Sequence, residues 1–303
     1  MNPDLKTNTG RQSLIALALS AVLSLPVHAG EAVNLSLDAD AKGEVTIDIV
    51  RGEVTVIGWD QNKVSVEGTR DDKSQRFVFE RNGNTIRIED EVKSRLHNGE
   101  GTKITVKLPR GNSLGVDVVS ANLSVRDVAG RSDLNTVSGD LKLEKLGHEV
   151  DAESVSGDID LRGAGKEVSL ETVSGDVTGH ITADHLQAES VSGNVKIRNE
   201  GTLKRGEFSS VSGDVSIESA ISGETAIEMD SVSGNIELVA RGEVNARIEA
   251  ETGPGGDISN ELTNDVPDEA EFTGAESLDI KVGNGSGRIQ ASVVSGEIAF
   301  RKK

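Results

Sequence analysis

Four aspartates recur at one place in a repeated tetrapeptide: Asp140, Asp158, Asp176 and Asp214, with Asn194 and Asn235 filling the same place in two further copies. Carboxylates stacked at a fixed short interval are the donor type that a hard cation such as calcium takes. A calcium-binding β-roll of paired nonapeptides has this coil length, with its Asp in the turn. That motif needs Gly-Gly-x-Gly-x-Asp in both halves of a coil. The second halves here read Gly147-His148-Glu149, Gly165-Lys166-Glu167 and Ala183-Asp184-His185, and Lys166 opposes a cation. The commoner use of an Asp at a turn is to accept backbone N–H groups. Like charges stacked at about 4.8 Å repel by roughly 1 kcal/mol in water, and the two Asn substitutions relieve part of that.

Catalytic chemistry finds less support. Carboxylates are abundant, as a polysaccharide lyase or hydrolase on a β-helix would need, but no departure from the repeat assembles a distinct cluster. With aromatic residues at 2% and no Tyr, there is little on which to stack a sugar ring. His28, His97, His148, His180 and His185 fall at unrelated places, so no three-His metal site is expected. The expectation is a non-enzymatic protein with no cofactor.

The elements that would position the aspartates are set by the repeat itself. Val-Ser-Gly-Asp or Val-Ser-Gly-Asn begins at Val137, Val155, Val173, Val191, Val211 and Val232, at steps of 18, 18, 18, 20 and 21 residues. Units this short cannot each bury an apolar face and must stack. Within one unit, Val155 to Leu161 alternates, a turn follows at Gly163 to Gly165, and Val168 to Thr172 alternates again. Period-two alternation means strands. The predicted fold is all-β: a single-stranded β-solenoid, parallel β-helix-like, with coils of about 18 residues.

Stacking aligns Leu141, Ile159, Val177, Val195, Val215 and Ile236 in one expected core column, and the six motif valines in another. Gly139, Gly157, Gly175, Gly193, Gly213 and Gly234 are expected to serve positive φ at the corner between the two strands of a coil. Ser154, Thr172, Ser190, Ser210 and Ser231, one place before each Val, form a hydroxyl ladder placed on the outside, with corner backbone groups as its partners.

The chain divides into three expected parts. Residues 1–29 read as a secretory signal: Lys6 and Arg11, an apolar run from Leu14 to Leu25, and Val27 and Ala29 placed for cleavage before Gly30. The run is too short to span a bilayer of roughly 30 Å. Residues 30–112 form a β-rich N-terminal cap and irregular coils, with Trp59 closing the end of the core. Residues 113–303 form the regular solenoid with C-terminal insertions, including a protruding polar loop from Asn264 to Thr273, and Arg301-Lys302-Lys303 blunting the last open coil.

The formal charge is −19, and removal of Asp4, Lys6 and Arg11 with the signal leaves −20. Such a charge opposes nucleic acid and anionic membranes as partners. Without Cys there is neither a disulfide nor a thiol for lipid attachment. Export, stacking as the sole source of stability, and a repeat-rich β-chain together point to a bacterial envelope protein, periplasmic or at the cell surface.

The six repeats from Val137 to Asn235, the Gly58-Trp59-Asp60 element and the closing pair Ser286-Gly287-Arg288-Ile289 and Val294-Ser295-Gly296-Glu297-Ile298 carry a family likeness. In these the chain resembles the bacterial putative-adhesin family of domains of unknown function. The resemblance covers nearly all of the exported chain and implies a β-solenoid without implying catalytic residues. The function expected is an exported envelope β-solenoid, adhesin-like or structural, binding an envelope or extracellular protein or glycan and open to end-to-end self-association. A calcium-stabilised secreted β-roll and a periplasmic partner in envelope-stress signalling are the alternatives.

Overall fold

The computed structural model describes residues 30–92, 99–147, 149–163 and 165–303. The expected signal segment, His97 and His148 lie outside the described residues. All regular structure within them is β. The N-terminal strands are β1 (Ala32–Asp38), β2 (Glu44–Trp59), β3 (Lys63–Thr69), β4 (Ser74–Asn82), β5 (Thr85–Val92) and β6 (Thr102–Pro109). The central coils hold β7 (Ser113–Arg126), β8 (Ser132–Ser138), β9 (Leu141–Glu144), β10 (Glu149–Ser156), β11 (Ile159–Arg162), β12 (Glu167–Ser174), β13 (Val177–Ile181), β14 (His185–Ser192), β15 (Val195–Ser212) and β16 (Val215–Ser233). The C-terminal part holds β17 (Ile236–Arg241), β18 (Ala246–Thr252), β19 (Asp257–Asn260), β20 (Asp268–Glu269), β21 (Glu276–Val282), β22 (Gly287–Ser295) and β23 (Glu297–Lys302).

Each coil contributes one strand before the Ser-Gly-Asp corner and one after it, so the coils build two walls. In the first wall β8, β10, β12 and β14 stack in parallel, and the C-terminal halves of β15 and β16 continue it. In the second, β9, β11 and β13 stack in parallel and lead into the N-terminal halves of β15 and β16. Equivalent residues pair across coils: Ile159 sits between Leu141 and Val177, Leu170 between Ala152 and Ala188. The inward side chains of both walls form one hydrophobic cluster running from Val33 to Phe300. Burying each such Ile or Leu is worth about 1.5–3 kcal/mol, which is how the stack holds without disulfides.

Sequence order and stacking order part company at both ends. β2 lies between β7 on one side and the later strands β5 and β6 on the other. At the other end β22 lies between β16 and β18, and β23 between β17 and β19. Antiparallel strands close the stack: β4 on β5, β3 and then β1 on β6, and β21 on β18. The basic C-terminus therefore does not blunt an open coil, as its sequence suggests. Arg301 reaches Glu237 at 2.9 Å and Lys303 reaches Glu218 at 2.8 Å, both on coils already in the stack.

Two other expectations change. Trp59 is half-buried outside the core cluster, with its indole N–H donating to the Lys63 carbonyl at 2.8 Å and the ammonium groups of Lys63 and Lys107 5.9 and 5.8 Å from its ring centroid. A ring held at its polar edge and faced by two cations suits the surface of the stack. The motif valines are the larger correction, because Val137, Val155, Val173, Val191, Val211 and Val232 are 46–49% exposed. Alternation carried from Val168 and Leu170 brings Thr172, not Val173, to the inside. The hydroxyl column is thus the buried one, and Thr172, Ser190, Ser210 and Ser231 donate to the carbonyls of Gly157, Gly175, Gly193 and Gly213 at 3.0–3.4 Å.

Candidate interaction groove

The corners that hold the two walls together also fix the outward columns. Gly139, Gly213 and Gly234 stand at φ of 152°, 156° and 156°, whereas Gly157, Gly175 and Gly193 lie outside the left-handed range. All six share a close approach instead. A Cβ at any of them would lie 1.9–2.2 Å from the carbonyl oxygen at the same place in the preceding coil. Beside each corner the Asp and Asn side chains form a coil-to-coil ladder. Asp140 accepts the N–H of Asp158 at 3.2 Å, Asp158 that of Asp176 at 2.9 Å, Asp176 that of Asn194 at 2.7 Å, and Asp214 that of Asn235 at 2.8 Å. One carboxylate oxygen of each candidate calcium ligand is thereby engaged with backbone. Among the described residues, no group of three or more His, Cys, Asp or Glu side chains is arranged to hold a metal ion.

With the corners fixed, the outer face of the first wall presents two parallel columns. One is the valine column, extended by Val119 at 46% exposure before Val137 and by Val294 at 58% after Val232, with Val50 half-buried at its start. Eight exposed valines in register at about 4.8 Å form a rail about 35 Å long. Two residues upstream in each strand runs an acidic column. Asp48 pairs with Asp117, Asp117 with Asn135, Asn135 with Glu153, Glu153 with Glu171 and Glu171 with Glu189. The amide of Asn135 donates to Asp117 at 3.1 Å, and that of Gln187 to Glu171 at 3.2 Å and to Glu189 at 3.0 Å, so amides separate some of the charges.

Repulsion remains. Burial first, and then Glu189 and Glu153, raise the pKa of Glu171 above its ordinary value. Burial and Asp117 do the same to Asp48 against the opposing pull of Arg87, and burial and Asp133 raise Asp151. The rail from Val50 to Val211 and the acidic column together line an open groove of about 1000 Å³. Among the described residues its lining includes eight carboxylates, with Asp48, Asp117, Glu153, Glu171 and Glu189 among them, and no Lys, Arg or His.

A second polar assembly was not expected from the repeat. Val50-Arg51-Gly52-Glu53 occupies a corner place, with Arg51 where the other corners carry Ser. Its guanidinium pairs with both oxygens of Asp71, a residue 2% exposed. The backbone N–H of Asp71 donates to Asp90 Oδ2 at 3.2 Å and to Thr102 Oγ1 at 3.1 Å, and Thr102 donates to Asp90. Asp71 also accepts the Lys73 N–H at 2.7 Å. Such saturation locks the N-terminal strands together and leaves the Asp71 carboxylate engaged on both oxygens, so its part is structural. The sequence signal for it was Arg in the place of Ser. His180 sits 3.0 Å from Glu200 on the exposed second wall, and His185 pairs across coils with Glu167 and Arg205.

The pattern of the Toastrack DUF4097 family matches residues 43–301, from β2 into β23. The chain belongs to the Toastrack family. A solved structure shares the architecture. A putative adhesin from Parabacteroides merdae ATCC 43184 is similar over 89% of this chain and 96% of its own, at 8% identity and a TM-score of 0.51. A putative adhesin from Bacteroides fragilis NCTC 9343 is similar over 89% and 97%, at 12% identity and a TM-score of 0.47. No curated protein matches the chain. An identity of 8% ties the Toastrack chain to the Parabacteroides merdae protein by fold alone. Among its described residues no helix is long and apolar enough to cross a membrane.

Proposed function

We propose that this Toastrack chain is a non-enzymatic, exported envelope scaffold of adhesin type, and that the groove of the first wall is its contact face. The observation that carries the reading is the valine rail. Eight aliphatic side chains that strand alternation turns outward, at one position in successive coils, are a contiguous apolar surface of the kind that marks an interaction site. The fold supports it, since each strand of the central wall is paired on both sides and offers a rigid, pre-formed platform that loses little freedom on binding. The buried carboxylates argue against hydrolysis, because Asp71 is tied to Arg51 and to backbone.

The test is photo-crosslinking in intact cells, with a crosslinking side chain at Val173 on the rail and, separately, at Lys196 on the exposed outer face of the second wall. Adducts to another envelope component from position 173 and none from 196 are the expected result. Absence of adducts from 173 would refute the assignment of this face.

A further inference from the structure

The groove selects its occupant by charge, by the kind of surface it offers and by its repeat. Among the described residues every ionisable side chain in its lining is acidic, so nucleic acid, an anionic lipid surface and a second copy of this chain, itself at −19, are all repelled. Its floor is the face of a sheet whose strands are already paired on both sides, so a partner strand finds no free main-chain ladder to join. Recognition must then come from side chains. A partner chain whose own backbone needs no pairing suits this surface best, and polyproline II is such a chain, hydrated along its length.

The repeat points the same way. Coils recur at about 4.8 Å, hence about 9.6 Å for two. A polyproline II chain advances about 9.3 Å in three residues and returns each third side chain to the same face. A partner β-strand repeats at about 6.7 Å and an α-helix at about 5.4 Å per turn, so both fall out of step within a few coils.

We propose that the groove binds an extended, polyproline-type polypeptide segment that carries a basic side chain at about every third position, its lysines or arginines on the acidic column and its prolyl and aliphatic groups on the valine rail. This rests on the reading of the first wall as a contact face and adds the chemistry of what it contacts.

The test is fluorescence anisotropy with the purified protein and labelled synthetic peptides. A (Lys-Pro-Val)4 peptide spans about 37 Å, close to the rail. It is compared with (Glu-Pro-Val)4 and with a peptide of the same composition whose lysines are bunched at one end. Saturable binding of the first is expected, weakened by salt, with no binding of the glutamate peptide. Glu153→Gln with Glu171→Gln, and separately Val155→Ser with Val173→Ser, should each weaken binding by about fivefold, the worth of two exposed pairs. Circular-dichroism melts confirm that both double variants are folded.

No binding, equal binding of the bunched peptide, or full affinity in both double variants would each overturn the proposal. Crosslinks from Val173 in cells combined with no affinity for (Lys-Pro-Val)4 would overturn the occupant and leave the contact face standing. Absence of those crosslinks would remove the face itself.

Discussion

Glu171→Gln should make this protein more stable, and only where Glu171 is ionised. Glu171 pairs in register with Glu153 below and Glu189 above. At about 5 Å and the dielectric of water each neighbour contributes roughly 0.8 kcal/mol of repulsion, and several times that at an effective dielectric near 20. The side chain is half-exposed, so the lower figure applies, and salt screening reduces it further. Gln keeps an oxygen for the Ser169 hydroxyl and the Gln187 amide, which donate to Glu171 at 3.4 and 3.2 Å. The expected net gain is about 1 kcal/mol, or about 2–4 °C in a chain of this size. Its pH dependence has a definite sign. Burial and two carboxylate neighbours raise the folded-state pKa of Glu171 above 4.5, so the folded state favours the protonated form. The wild type therefore gains stability as pH falls through the raised value, and the gain is complete below the unfolded value. Denaturant midpoints at pH 7 should favour the variant, and the difference should vanish at a pH well under 4.5. A variant less stable at pH 7, or an advantage independent of pH, would refute this account of the acidic column.

Two further outcomes test the geometry of the stack. Gly175→Ala places a Cβ 2.2 Å from the Gly157 carbonyl oxygen; forcing the two coils apart should cost about 1–3 kcal/mol, and an unchanged denaturation midpoint would show that the corner has slack. Ile159→Ala, at a side chain 0% exposed, should cost about 2–5 kcal/mol, whereas Val155→Ala, at 46% exposure, should stay within about 0.5 kcal/mol. Equal losses in the two variants would return the valine column to the core.

The coil architecture was legible because both of its signals are local. The tetrapeptide recurs at nearly constant steps, and Ile159 with Leu161 or Val168 with Leu170 alternate cleanly into strands. The valine column is where hydrophobicity and strand phase disagree, and phase prevails. Thr172 continues the inward set of Val168 and Leu170, and a hydroxyl is tolerated there because a corner carbonyl lies within reach. The same disagreement conceals the groove, because an apolar column reads as interior until its phase is followed. The Arg51–Asp71 pair brings together residues on different coils, and the repeat marks it only by replacing Ser with Arg. The interleaved ends carry no repeat signal at all. Which coil β22 joins depends on contacts of long sequence separation, and neighbours in the chain give no warning of it.

That interleaving governs how the molecule is made and how its family can change in length. A solenoid whose coils stack in the order of synthesis can grow from either end, one coil at a time. Here β22 and β23 are synthesised after β18 to β21 and yet lie between β16–β17 and β18–β19. The later coil must be admitted before the earlier one can dock, and β2 likewise waits for strands on both of its sides. Each end is therefore a clasp, assembled from segments distant in the chain. Duplication or loss of whole coils can be absorbed between β8 and β15, where stacking follows the sequence, while the two clasps hold the length fixed everywhere else.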